Sequence, residues 1–166
     1  LPLIIIQGEC FIVANKVKVL NFNPFKVGIN FSDGVKSVTV PPYRNGRPGS
    51  LSVDVEEIYY VHSTSSTFSR KFLIIDDPEI NKELGLEGRT VANYTEDEIR
   101  DLIKGNINKM KSVLENEKEK HVIDRVINIA KDIDDLHLNK VKFLEEWSGI
   151  KFEHLQPKED GSKDKK

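Results

Sequence analysis

The sequence predicts an α+β protein. A β-rich antiparallel sandwich or small barrel spans residues 15–76, and a bundle of three to four short helices follows over residues 77–155. Three observations predict this. Short β-branched runs separated by turn residues fill the first half. The hydrophobic period changes from two to roughly 3.6 at Asp77. Beyond that point, helix-capping residues recur at helical spacing.

The opening Leu1-Pro2-Leu3-Ile4-Ile5-Ile6 is apolar but stops at Gln7-Gly8-Glu9. A membrane span needs about 20 apolar residues, and a signal peptide needs a basic start. Residues 1–14 are therefore expected to form a strand or docking arm. Cys10–Ala14 and Lys16–Leu20 are β-branched runs, and Lys16-Val17-Lys18-Val19 alternates as a half-buried strand does. Asn21-Phe22-Asn23-Pro24 interrupts with turn chemistry. Val27–Phe31 and Val35–Val40 flank the turn Ser32-Asp33-Gly34. Pro41–Ser50, with three prolines and two glycines, is expected to be irregular. Leu51–Val55 alternates again, Ile58–Val61 continues the apolar pattern, His62–Ser69 reads as a Ser/Thr-rich loop, and Phe72–Ile75 closes the half.

The helical signals are sharper. Asp77 is an N-cap, Pro78 suits the first helical position, and Gly85 can end that helix. Thr95 and Glu98 make a capping box, followed by Ile99, Leu102 and Ile103 on one face. Ile107, Met110 and Leu114 extend a stripe past Gly105, where a break or bend is expected. Residues 119–133 form the clearest helix, with Val122, Val126, Ala130 and Ile133 in line. A last helix over residues 139–148 buries Val141, Leu144 and Trp147, with Gly149 as its left-handed cap and Ile150 folding back. Residues 156–166 are charged, lack an apolar anchor, and are expected to be disordered.

Composition narrows the function classes. The chain has 166 residues, 38% hydrophobic and 31% charged, which fits a globular protein. Net charge is −2, unevenly spread: residues 1–75 carry 8 Lys/Arg against 5 Asp/Glu, and the remainder 17 against 22. That polarity suits a protein whose two ends meet different partners. Cys10 is the single cysteine, so no internal disulfide and no Cys-based zinc site can form.

No motif for chemistry survives inspection. Gly85, Gly88 and Arg89 do not make a phosphate loop. Ser63–Ser66 lacks a nucleophile-elbow context. Asp132, Asp134, Asp135 and His137 resemble a cation loop, but His137 and Phe143 stand where an EF-hand requires Gly and Glu. A helix end and the start of the next helix account for them better. His62, His121, His137 and His154 share no ligand spacing. No catalytic, cofactor-binding or metal residue is assigned, and the protein is expected not to be an enzyme. The binding features are the apolar Leu3, Ile4, Ile5 and Ile6, and the loop projecting Tyr43, Arg44 and Arg47. An aromatic and two arginines on a stiff frame suit an interface hot spot.

The order of motifs resembles a family of small virion-associated structural proteins of tailed bacteriophages. A V-x-V-x-N strand appears as Val17-Lys18-Val19-Leu20-Asn21, and a V-G-[IY] strand as Val27-Gly28-Ile29. The strand into Asp76-Asp77-Pro78 continues to Glu83-Leu84-Gly85-Leu86. Tyr94-Thr95-Glu96-Asp97-Glu98-Ile99 and the stop Ser148-Gly149-Ile150 follow. The resemblance covers residues 15–155; residues 1–14 and the Pro- and Arg-rich middle loop depart from it.

The resemblance carries over no catalytic residue. It implies an auxiliary, decoration or minor head protein that binds the capsid shell. Its partners would be the major capsid protein or other virion proteins, with self-association in the particle. It would be assembled in the bacterial host cytoplasm and located in the virion. Two alternatives stand beside it: a nucleic-acid-binding accessory protein using the C-terminal helices, and a head–tail connector or tail component. The acidic helical half disfavours nucleic acid, and no membrane partner is expected.

Overall fold

Alternating apolar residues make strands through the first fifty residues, and the chain changes to helices earlier than the sequence predicts. The computed structural model describes residues 3–6, 9–12 and 15–152. The N-terminal arm is a backbone hairpin: β1 (Leu3–Ile6) runs antiparallel to β2 (Glu9–Ile12), with Leu3 opposite Ile12 and Ile6 opposite Glu9. The charged tail expected over residues 156–166 lies outside the described residues.

β3 (Lys16–Asn21) buries Val17, Val19 and Asn21 and exposes Lys16 and Lys18, as its alternation requires. It is the centre of the main sheet. β4 (Val27–Asn30) and β5 (Ser37–Val40) form a hairpin that sends Ile29 and Val40 into the core. Its predicted turn is held by Asp33, whose Oδ1 accepts the Val35 and Lys36 N–H groups at 3.0 and 2.8 Å. Those two bonds hold the Asp33 carboxyl below its ordinary range. β6 (Gly49–Asp54) pairs with β3 from Lys16 opposite Asp54 to Asn21 opposite Gly49.

β6 passes directly into a helix, α1 (Val55–Thr64). This corrects the expectation of a strand at Ile58–Val61 and of a loop beginning at His62. Ile58 and Val61 lie one helical turn apart and are both buried, while Tyr59 and Tyr60 reach solvent. Glu56 and Glu57 occupy the first turn, where acidic side chains complement the helix dipole. The apolar run was real; its spacing is three rather than two.

β7 is short, Ile74–Ile75, and completes the sheet in the order β6-β3-β7. The described sheets thus have two, three and two strands, and no closed barrel forms among the described residues. The expected two-sheet sandwich gives way to a shared core. Val17, Val19 and Val53 of the main sheet meet Ile29 and Val40 of the second hairpin and Ile58 and Val61 of α1. A helix occupies space that a second full sheet would have needed.

α2 (Pro78–Glu83) starts as predicted, with Asp77 Oδ1 accepting the Glu79 and Ile80 N–H groups at 3.0 Å each. It ends at Gly85, which takes φ 68°. Four helices then pack around a second apolar cluster: α3 (Glu96–Lys104), α4 (Ile107–Leu114), α5 (Lys120–Lys131) and α6 (Leu138–Ser148). The Thr95–Glu98 capping box is present, and Gly105 ends α3 outright before Asn106 caps α4. Val122, Val126, Ala130 and Ile133 form the expected buried stripe. Gly149 takes φ 72°, and Ile150 packs back on the cluster.

One lysine was not foreseen in this core. Lys140 is buried, and its Nζ donates to the carbonyls of Ile103 and Gly105 at 2.7 and 2.6 Å. It thereby satisfies carbonyls that the end of α3 leaves without helical partners.

The tightest backbone approach lies between β6 and the Pro-rich loop. A Cβ on Gly49 would sit 1.7 Å from the Pro41 carbonyl oxygen, so the two segments can meet only without a side chain there. Gly49→Ala is expected to lower stability by about 2–3 kcal/mol, while exposed Ser50→Ala stays within about 0.5 kcal/mol of the parent. Urea denaturation measures both. Equal midpoints for the two variants would show that the approach does not constrain the fold.

Candidate functional site

The two apolar clusters meet at a junction built from polar contacts. Arg125 of α5 is only 7% exposed. Its Nη1 donates to the Phe22 carbonyl at 2.6 Å, and its Nη2 donates to the Val91 and Ala92 carbonyls at 2.9 and 3.2 Å. The Phe22 ring lies 5.8 Å from the guanidinium carbon. One side chain of the helical half therefore holds the end of β3 and the short 3-10 turn Val91–Asn93 together. Burial lowers its pKa to about 10, opposed by Tyr43, Glu96 and Glu117, so the group stays charged at neutral pH.

Around this bolt, Asn21 and Asn23 make a buried amide network. Asn21 Nδ2 donates to the Phe25 carbonyl at 2.8 Å, and Asn21 Oδ1 accepts the Asn23 N–H at 2.9 Å. Asn23 Nδ2 reaches the Phe72 carbonyl at 2.8 Å. The turn chemistry read from these residues is thus also a tie across the fold.

A second contact lies beside it. The His121 ring of α5 stacks on Phe72, with centroids 3.9 Å apart and planes 14° off parallel. Its Nε2 is 3.2 Å from the Lys71 carbonyl, at a residue with φ 58°. Its Nδ1 is buried without a hydrogen bond among the described residues and stands 4.0 Å from Glu119 Oε2. Arg70 pairs with Glu119 at 3.2 Å, and Lys71 Nζ donates to Thr90 Oγ1 at 2.9 Å.

The junction also decides what becomes of the predicted binding loop. Tyr43 does not project. It is buried, its N–H donates to the Asn23 carbonyl at 2.9 Å, and its hydroxyl accepts the Glu96 N–H at 3.3 Å. Tyr43 therefore joins the loop to the start of α3. Arg44 and Arg47 do project, and both are exposed. They face each other across a two-residue turn, with N–H to carbonyl bonds of 3.0 and 3.1 Å in both directions. Asn45 and Gly46 take φ 54° and 75°, the geometry of a type I′ hairpin turn. The Asn-Gly pair is the signal that reveals a regular turn inside a segment expected to be irregular.

Leu3, Ile4, Ile5 and Ile6 are the residues of β1. Among the described residues β1 pairs with β2 alone, and the structure does not bring this hairpin and the arginine turn together in one sheet. Among the described residues the exposed large apolar side chains are scattered; Val35, at the β4–β5 turn, is the most open at 91%.

A groove of about 660 Å³ lies along β7 and α2, lined in part by Lys71, Asp76, Asn81, Arg89 and Asn93. Its cations are already engaged, Lys71 with Thr90 and Arg89 with Glu98. The Asp132–His137 segment forms the end of α5 and the lead into α6, with His137 in the N-cap position. Among the described residues, no three His, Cys, Asp or Glu side chains are placed to hold a metal ion.

Residues 95–154, from the cap of α3 past the end of α6, match the family model described as the YonA C-terminal domain. The match relates the helical half to a phage-related protein family. No curated protein and no solved structure matches the chain.

The His121 contact has a definite pH signature. Burial, opposed by the Lys71 carbonyl, Glu119 and Glu117 and reinforced by Arg70, holds the imidazole below its ordinary 6.5. With a lowered folded-state pKa, its contribution is complete above pH 6.5. It is lost as the pH falls toward the folded value, because the unfolded chain takes the proton first. His121→Phe keeps a stacking ring without the titration. Between pH 6.5 and about pH 5, the parent should lose stability more steeply than this variant in urea titrations. Identical slopes would remove His121 from the acid response.

Proposed function

We propose that the chain is a non-enzymatic auxiliary protein of a phage particle, docking through its β half onto the capsid shell. The observation that carries this reading is a phage-related helical half joined to a β half whose first two strands are apolar in sequence. A two-stranded hairpin is marginal in water by itself and needs a covering surface or further strands. Apolar residues fill every position of β1 and three of the four in β2. A partner surface would supply the cover.

The Arg44–Arg47 turn offers a second contact of different chemistry, on a frame the junction keeps stiff. Modest contacts of this kind suffice in a symmetric shell, where many copies add through avidity. The acidic helical half would face solvent or a neighbour. Nucleic-acid binding by these helices gains nothing from the arrangement. Residues 76–166 carry 17 Lys/Arg against 22 Asp/Glu, and Lys140 is spent on backbone carbonyls inside the core.

Purified particles from the phage encoding this chain test the reading by mass spectrometry and averaged density. The expected result is a stoichiometric component in contact with the shell. Deleting residues 1–12 should leave the thermal transition of the remainder intact and abolish particle association. Absence from particles, density on the tail alone, or full association without the hairpin would overturn the reading.

A further inference from the structure

The Arg44–Arg47 turn places two arginines directly opposite each other. Residues directly opposite in an antiparallel pair lie on one face, and like charges placed there repel. Arg44 and Arg47 exchange both backbone hydrogen bonds, so their Cα atoms stand about 5.5 Å apart. Among the described residues, neither enters an ion pair. Two exposed arginines are thus carried at directly opposite positions of one turn.

The turn beneath them is preorganised. Asn45 and Gly46 fix its type, and Gly49 lies against the Pro41 carbonyl. Tyr43, next to Arg44, is tied at its N–H to Asn23 and at its hydroxyl to Glu96. Binding through such a frame loses little backbone freedom.

We infer that Arg44 and Arg47 form a two-pronged receptor for a pair of carboxylates on an extended acidic segment of a partner protein. The inference rests on the docking reading above and names the chemistry of one contact in it. A guanidinium accepts a carboxylate as a planar fork, with two parallel N–H to oxygen bonds. On an extended chain, side chains two residues apart share a face and are separated by about 6.6 Å, which matches the two prongs. A nucleic-acid backbone fits less well. Its affinity comes from neutralising many phosphates, whereas this turn offers two cations.

The test uses the full chain with isotope-labelled arginine side chains. The probe is the peptide Gly-Ser-Glu-Thr-Glu-Ser-Gly, compared with its Gln-for-Glu counterpart and with a short DNA duplex, all at physiological salt. The Nε–H signals of Arg44 and Arg47 should move with the Glu peptide and stay in place with the Gln peptide. The double variant Arg44→Lys with Arg47→Lys keeps the charge but loses the forks, and should bind about tenfold more weakly.

No movement, equal movement with the Gln peptide, undiminished binding by the lysine variant, or tighter binding of the duplex would each overturn the inference. A lost peptide interaction with particle association intact removes this inference alone. Peptide binding by a chain absent from particles removes the functional reading and leaves the receptor standing.

Discussion

A buried arginine that pairs with no carboxylate among the described residues sets the constraint on which the rest of this structure depends. Arg125 stays charged in a site that penalises charge. What offsets that penalty is geometry: three backbone carbonyls from two separate segments converge on one guanidinium. Lysine could not replace it, because an ammonium on a flexible stem cannot address Phe22 on one side and the Val91–Asn93 turn on the other. The Val91–Asn93 turn gives Val91 and Ala92 to the helical cluster, and Phe22 follows β3, which gives Val17 and Val19 to the other. Their relative placement is therefore written into one side chain of α5.

The arrangement of the surface follows from that placement. With Phe22 fixed, Asn23 is positioned to receive the Tyr43 N–H, and with α3 fixed, Glu96 is positioned to meet the Tyr43 hydroxyl. The arginine turn begins at the next residue. A loop that would otherwise wander is clamped at its root from both halves, and Gly49 closes it from the other side. The backbone that carries the two exposed arginines owes its placement to contacts made behind it. His121 and Phe72 brace the same junction further along α5.

Much of the fold was legible because local chemistry and tertiary environment agree. Asp77, Thr95, Glu98, Gly85 and Gly149 announce helix ends by capping requirements that hold in any context. Lys16-Val17-Lys18-Val19 announces a strand with one face in a core. Ile58–Val61 misled because an apolar run of that length fits either period, and the deciding fact is which neighbour covers it. The strand reading of β1 and the two arginines was available from composition and turn residues. Arg125, Lys140 and His121 were not, since a polar residue beside an apolar stripe ordinarily points to solvent. Their partners are carbonyls 33 to 103 residues away in the chain, and no periodicity encodes that distance.

The most direct test of this account is unfolding by urea followed by two local probes. Trp147, the single tryptophan, reports on the helical half through its fluorescence, and amide exchange of β3 reports on the sheet. In the parent chain the two transitions should coincide. In Arg125→Met, which removes the donor to the Phe22 and Ala92 carbonyls and leaves Val91 only the Tyr94 N–H, stability should fall by about 3 kcal/mol, and β3 should lose protection at lower urea than Trp147 responds. Coincident transitions at the parent midpoint would contradict the claim that Arg125 couples the two cores.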